Sequence, residues 1–222
     1  MSARKTDIAT TTNKAIFKNI YFSSSQIFYI YILAQEVYVK TDSCFKGEIK
    51  MDFEKVITER YSVRKFKETP VSQKDIDKIL SAGHLAPTGC NFQPQRILVL
   101  NTEESIEKLK KCTKCHFGAP CAMLVCYNKN ESWKSPFNGD LSAPVDASIV
   151  TTHMMLMAHS IGVGTCWVMY FDPAAVRQEF DIPEEIIPHA LLVMGYPHED
   201  APVHEFHNTF RPMDETVFYN KF

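Results

Sequence analysis

Between Val145 and Ser160 the spacing predicts a helix that is apolar on nearly every face, with Ile149, Met154, Met155, Leu156 and Met157 spread around it. A surface helix keeps one polar face, so a helix apolar all round needs cover on every side. This one belongs at the centre of a layered fold or at a subunit interface. Around it, four apolar stretches read as buried strands: Arg96–Leu100, Ala122–Tyr127, Gly164–Tyr170 and Ala190–Gly195. They alternate with helical patterns at Glu103–Lys111 and Pro173–Phe180. Strands interleaved with helices place the chain in a mixed α/β or α+β class. Upstream, Phe53, Val56 and Ile57 recur at i, i+3 and i+4, which predicts a short helix over Asp52–Arg60. Ser72-Gln73-Lys74-Asp75 resembles a capping box with Asp75 in place of the usual Glu. The helix it opens presents Ile76, Ile79 and Leu80 inward and stops near Gly83 to Pro87, because Pro87 lacks an N–H.

The first fifty residues are a different kind of sequence. They contain no Pro, no His and one Gly, whereas all twelve prolines of the 222-residue chain lie beyond Met51. Ile20 to Ala34 carries no charge, yet it is shorter than the roughly 20 apolar residues a membrane-spanning helix needs. Arg4 and Lys5 are far from this run, unlike the positive flank of a signal peptide. Phe, Tyr, Ile, Lys and Asn, all with A/T-rich codons, supply 23 of the fifty residues. Gly47-Glu48 before Met51 can be encoded by a ribosome-binding sequence. We therefore expect residues 1–50 to be a translated leader or disordered extension, and residues 51–222 to form the single domain.

Charge and cysteines narrow the function. The net charge of −2 divides into +3 for residues 1–50 and −5 for the rest. An acidic body without a Lys/Arg stripe argues against nucleic-acid binding, though not against a small anionic ligand. Seven cysteines without regular spacing argue against a disulfide scaffold and for a reducing, cytoplasmic setting.

Three short runs carry candidate chemistry. Arg60, Ser62 and Arg64 share one face of an extended chain, so two guanidiniums and a hydroxyl converge on a phosphate-like ligand. Taken alone, such a run is more often a solvated basic face. The run Ala86-Pro87-Thr88-Gly89-Cys90-Asn91-Phe92-Gln93-Pro94 is a loop bracketed by prolines and rich in hydrogen-bonding groups, or simply a structured turn. Gly162-Val163-Gly164-Thr165-Cys166-Trp167 follows the apolar helix, where glycines let a backbone approach a flat ligand. It lacks the third glycine of a dinucleotide fingerprint, and a tight helix-to-strand connection explains it equally well.

Together and in this order, with Gly118-Ala119-Pro120, Gly195-Tyr196-Pro197 and Arg211-Pro212, these runs resemble the nitroreductase family over Met51 to Phe222. The resemblance implies a nitroreductase-like α+β fold with a central, mostly antiparallel sheet flanked by helices. It implies an intertwined homodimer with FMN at the interface. By position, Arg60 and Ser62, with Tyr61 between them, match phosphate and ribityl contacts, and Arg211 closes on the phosphate. Arg64 matches the cation near flavin N1 and O2. Pro87 and Thr88 resemble the neighbouring subunit's loop, with Asn91 and Gln93 as amides on the pyrimidine or substrate side. Gly164 and Thr165 match the backbone near N5, with Cys166 beside them. The implied reaction is ping-pong: NAD(P)H delivers hydride to N5, and a nitroaromatic, quinone or similar small acceptor removes it. Flavin N5 does the chemistry, and no catalytic side chain, metal, nucleic acid or membrane is implied. Thr209 stands where larger members carry a Lys, so phosphate binding leans on the Arg60 side.

Two other readings remain. One is a flavin-binding sensor or sequestering protein with little turnover. The other, a membrane-tethered electron carrier, rests on residues 20–34 and the Cys112-Thr113-Lys114-Cys115-His116 haem-like motif. That motif lacks a second ligand pair for zinc, and His153 and His159 do not share a helix face.

Overall fold

Cys121–Asn128 is a run of eight residues with no charge, and it forms the strand on which the domain is built. The structure, a computed structural model, describes residues 52–222; the expectations for residues 1–50 lie outside the described residues. In chain order the regular elements are α1 (Phe53–Glu59), α2 (Gln73–His84), β1 (Gln95–Leu100), α3 (Glu103–Cys112), β2 (Cys121–Asn128), α4 (Ala143–Ser160), β3 (Gly164–Val168), α5 (Pro173–Glu179) and β4 (Ile186–Gly195). The sheet order is β1-β2-β4-β3 and every pairing is antiparallel.

Side chains alternate across the two faces of β2 and β4. Met123, Val125, Leu192 and Met194 face α2 and α4, in a core with Ile76, Ile79, Val150 and Met154. Ala122, Leu124, Leu191 and Val193 face α3 and α5, in a second core with Leu109 and Val176. The sheet is therefore covered on both sides. At Gly83, α2 packs tightly on α4: a Cβ there would lie 2.8 Å from Met154 Cγ.

α4 is the helix anticipated from its all-round apolarity, and it begins at Ala143, two residues before the predicted Val145. Ala147, Val150, Thr151, Met154 and Ala158 are buried, and of the whole helix only Val145 is exposed. Ile149, Met155, Leu156 and Met157 are half-buried on the other side.

The prediction erred in three places. In α1 only Val56 is buried, while Phe53 and Ile57 are exposed, so the helix sends one residue inward instead of three. β4 starts four residues earlier than its apolar run, because Pro188 sits opposite Cys126 at an irregularity in register. Proline is excluded from regular central pairing but tolerated at a bulge. β3 ends at Val168, short of the predicted Tyr170, because Met169 and Tyr170 leave the sheet and are exposed.

The capping box at α2 is completed from outside. Ser72 Oγ accepts from Asp75 N at 3.1 Å and donates to Asp75 Oδ2 at 2.8 Å. The Ser72 N–H donates to Tyr196 Oη at 3.3 Å, and Tyr196 Oη donates to Asp75 Oδ2 at 2.7 Å. An aspartate is one methylene shorter than the usual glutamate, and the tyrosine bridges the gap. Tyr196→Phe should lower stability by about 1 kcal/mol, the usual worth of a buried hydrogen bond. In urea the midpoint should fall with an unchanged slope; an unaltered midpoint would count against the bridge.

Candidate functional site

The chain leaves α1 at Arg60, which has extended backbone angles and gives its N–H to Val56 O. It then lies along β3: Ser62 forms a parallel bridge with Thr165, and Val63 N–H donates to Thr165 O at 2.9 Å. Val63 is buried and Arg64 exposed, while Arg60 and Ser62 are half-buried. This is the alternation an extended chain requires. Arg64 Nη1 donates to Ser62 O at 3.3 Å, and its guanidinium carbon lies 6.0 Å from the centre of the Phe117 ring. Among the described residues neither Arg60 nor Arg64 has a carboxylate partner. Two uncompensated guanidiniums and a hydroxyl on one wall are a donor set for an oxyanion.

The strand behind this wall is interior. Thr165 is 2% exposed and Cys166 4%. Gly164 is packed so closely that a Cβ would lie 2.7 Å from Val63 Cγ2 and 2.9 Å from Pro197 Cγ. In this chain, Gly164, Thr165 and Cys166 pack behind the wall. The Arg60–Arg64 run covers this strand edge, with Ser62 bridging Thr165. Thr165 Oγ1 is buried without a hydrogen-bond partner among the described residues. Burial pushes the Cys166 thiol pKa up, against the opposing pull of the Arg64 charge and the Ser62 hydroxyl. A thiol held neutral is a poor nucleophile.

The 86–94 loop is held elsewhere. Gly89–Asn91 is one 3-10 turn, and Cys90, Asn91 and Gln93 all have positive φ. Gln93 N donates to Thr88 Oγ1 at 3.1 Å, and Gln93 Nε2 to Asn91 Oδ1 at 3.1 Å. Pro87, Asn91 and Gln93 are exposed and Thr88 is half-buried. The loop is fastened to the start of α4, where Gly89 N donates to Asp146 Oδ1 at 2.8 Å. Arg60, by contrast, acts on the far end of α4. Burial, and then the Arg60 charge, lower the pKa of His159. Asp146 and His159 are thirteen residues apart on one helix, about 20 Å at 1.5 Å per residue. One chain therefore carries the two halves of the predicted set at opposite ends of its central helix.

Arg211 lies on the C-terminal arm, 80% exposed at its side chain and within 3.4 Å of Glu215. The arm reaches the wall through its Glu205–Asn208 turn, whose His207 ring stands edge-on to Tyr61 at 6.4 Å. Two residues absent from the prediction complete the picture, Asp146 and Phe117. A lone carboxylate in the first turn of an apolar helix was the available signal for Asp146. Nothing in the local pattern marks Phe117.

The haem-like motif is spent on local structure. Cys112 is buried with its Sγ donating to Lys108 O, and His116 Nδ1 accepts from Gly118 N. Among the described residues no group of three or more His, Cys, Asp or Glu is placed to hold a metal. None of their helices is long and apolar enough to cross a membrane. A cavity of about 430 Å³ lies at the end of α3, lined by Lys110, Lys114, Tyr170 and Phe171 among others. It contains none of the predicted residues.

Comparison with known proteins agrees with these observations. The Nitroreductase family model matches residues 57–119 and 115–196. A solved nitroreductase family protein from Clostridium difficile 630 is 39% identical, with a TM-score of 0.73, over 78% of this chain and 100% of that one. A protein of Methanothermobacter thermautotrophicus, provisionally named NADH dehydrogenase/NAD(P)H nitroreductase, is 30% identical over 173 residues, 73% of this chain and 87% of its own length. An FMN-dependent nitroreductase from Clostridium difficile R20291 shares the fold at 24% identity and a TM-score of 0.62, over 75% of this chain and 98% of that one.

Proposed function

This chain belongs to the nitroreductase family, and on that footing we propose that it is an FMN-dependent oxidoreductase, working as a homodimer, that passes hydride from NAD(P)H to a nitroaromatic, quinone or similar electrophile. One observation carries the reading: two guanidiniums with no carboxylate partner among the described residues stand at one end of α4, and a loop of amides and a hydroxyl stands at the other. A second copy whose α4 packs antiparallel brings each wall against the other copy's loop. The half-buried apolar side of α4 supports that packing.

The donor set fits FMN. Arg60 and Ser62 would take the phosphate and ribityl oxygens, with Arg211 approaching from the arm. Thr88, Asn91 and Gln93 of the second copy would offer polar groups to the ring edge. When bound, FMN supplies the two-electron chemistry, accepting and releasing hydride at N5. Arg64 is held beside the wall by Ser62 O and Phe117, and its fixed charge favours the reduced, more negative cofactor. Gly164, Thr165 and Cys166 hold the wall in place.

The purified protein should be yellow with flavin absorbance, and NADH or NADPH should bleach it without oxygen in a stopped-flow experiment. Bound flavin that neither donor bleaches would overturn the enzyme reading and leave a flavin-binding protein. Arg64→Ala should keep FMN yet lower its two-electron potential by about 30–60 mV. That shift corresponds to a charge-assisted interaction of about 1.5–3 kcal/mol. An unchanged potential would remove Arg64 from this role.

A further inference from the structure

Asp146 is 2% exposed, one of few charged groups inside the domain, and no cation accompanies it among the described residues. A buried carboxylate is costly unless its oxygens are satisfied. Here both are: Oδ1 accepts from Gly89 N at 2.8 Å, and Oδ2 accepts from Ser142 Oγ at 2.8 Å. Asp146 also lies in the first turn of α4, where the helix dipole favours a negative charge. The bond to Gly89 spans 57 residues of sequence and ends in the one loop of the domain where three non-glycine residues within four positions have positive φ: Cys90 at 46°, Asn91 at 58° and Gln93 at 51°. Such residues persist only where their surroundings over-determine them, and they gather where a shape is needed for binding.

We propose that Asp146 is a positioning residue for cofactor binding: through Gly89 it holds the 86–94 loop in its strained shape before the cofactor arrives. The inference rests on the FMN reading of the site. Asp146 touches no ligand in this account. Its Oδ1 fixes the start of the turn, and the turn then aims Thr88, Asn91 and Gln93. Ser142 supports the arrangement from the other side. A Cβ on Gly89 would lie 2.7 Å from Ser142 Oγ, so loop and helix start are in direct contact. A preorganised loop binds more tightly because its ordering is complete before the ligand docks. Without Asp146 the loop has less to hold it in left-handed geometry, and part of the cofactor's binding energy must restore it.

The test titrates FMN into the flavin-free full-length protein and follows quenching of flavin fluorescence, with thermal melting of the same samples. Asp146→Ala should weaken FMN binding at least thirtyfold in protein that still melts cooperatively. Asp146→Asn keeps an oxygen acceptor for Gly89 N–H and should stay within about threefold of the parent. Gly89→Ala disturbs the loop and its contact with Ser142 while leaving the carboxylate of Asp146 in the chain. It should reproduce the loss, which keeps the idea testable if Asp146→Ala does not fold. A folded Asp146→Ala or Gly89→Ala protein with parental affinity would overturn the proposal. So would an Asn variant as weak as the alanine, since a charge effect would then replace the bond. If the parent itself takes up no FMN, the functional reading fails. Amide exchange at residues 88–93 then judges the positioning role alone, which requires faster exchange in Asp146→Ala than in Asp146→Asn.

Discussion

Gly164→Ala should cost the protein about 1–3 kcal/mol, the usual range for overpacking a filled interior, and should strip it of most of its flavin. The added Cβ would lie 2.7 Å from Val63 Cγ2, 2.9 Å from Pro197 Cγ and 3.0 Å from Val63 Cβ. Neither neighbour can swing aside, because Val63 is branched at Cβ and Pro197 is a ring. Relief comes only by moving the Arg60–Arg64 run away from β3, which breaks the bond from Val63 N to Thr165 O. That run carries Arg60 and Arg64, so stability and cofactor retention fall together. Gly162→Ala is the control. Its φ is +84° with nothing within 4 Å of a new Cβ, so it incurs backbone strain of about 1 kcal/mol and leaves the wall alone. Urea midpoints and the flavin-to-protein absorbance ratio separate the two. A Gly164→Ala protein with full flavin and parental stability would refute this account of the wall.

Removing residues 203–222 should turn the protein into a monomer that no longer holds FMN. None of these residues is buried, yet they include Phe206, Phe210, Met213, Phe218, Tyr219 and Phe222, all exposed. Exposed apolar side chains in such number along one segment mark a surface that another molecule covers. The proposed dimer supplies that cover. Fully burying such a side chain contributes about 1.5–3 kcal/mol. Four of them at half the lower figure give about 3 kcal/mol, roughly a hundredfold in the dimer dissociation constant. Loss of Arg211 with the arm also removes a phosphate contact. Sedimentation velocity at micromolar concentration would show a slower species, and gel filtration would separate flavin from protein. A truncated chain that stays dimeric and yellow would show that α4 alone carries the interface.

Both experiments bear on features that a sequence reveals unequally. The elements were legible because their signals are local: short apolar runs for the strands, a longer one for α4, and Pro87 after α2. The Arg60–Arg64 run was legible for the same reason, since i, i+2 and i+4 share a face wherever a chain is extended. Errors arose where a partner distant in sequence decides the outcome. Phe53 and Ile57 look inward by spacing, but nothing among the described residues covers them. The first half of β4 was hidden by Pro188, acceptable only because β2 is irregular opposite it.

By itself, then, the sequence determined the order of strands and helices along the chain and which side chains carry donors for an anion. Periodicity and residue chemistry suffice for these, because backbone geometry repeats within a few residues. Only the tertiary structure decided that Gly164, Thr165 and Cys166 lie behind the wall, that Phe117 meets Arg64, and that Asp146 fastens a loop 57 residues away. It also decided that the two halves of the candidate site sit about 20 Å apart on α4. Each depends on which surfaces pack together, and packing joins residues whose separation in sequence has no period to reveal it.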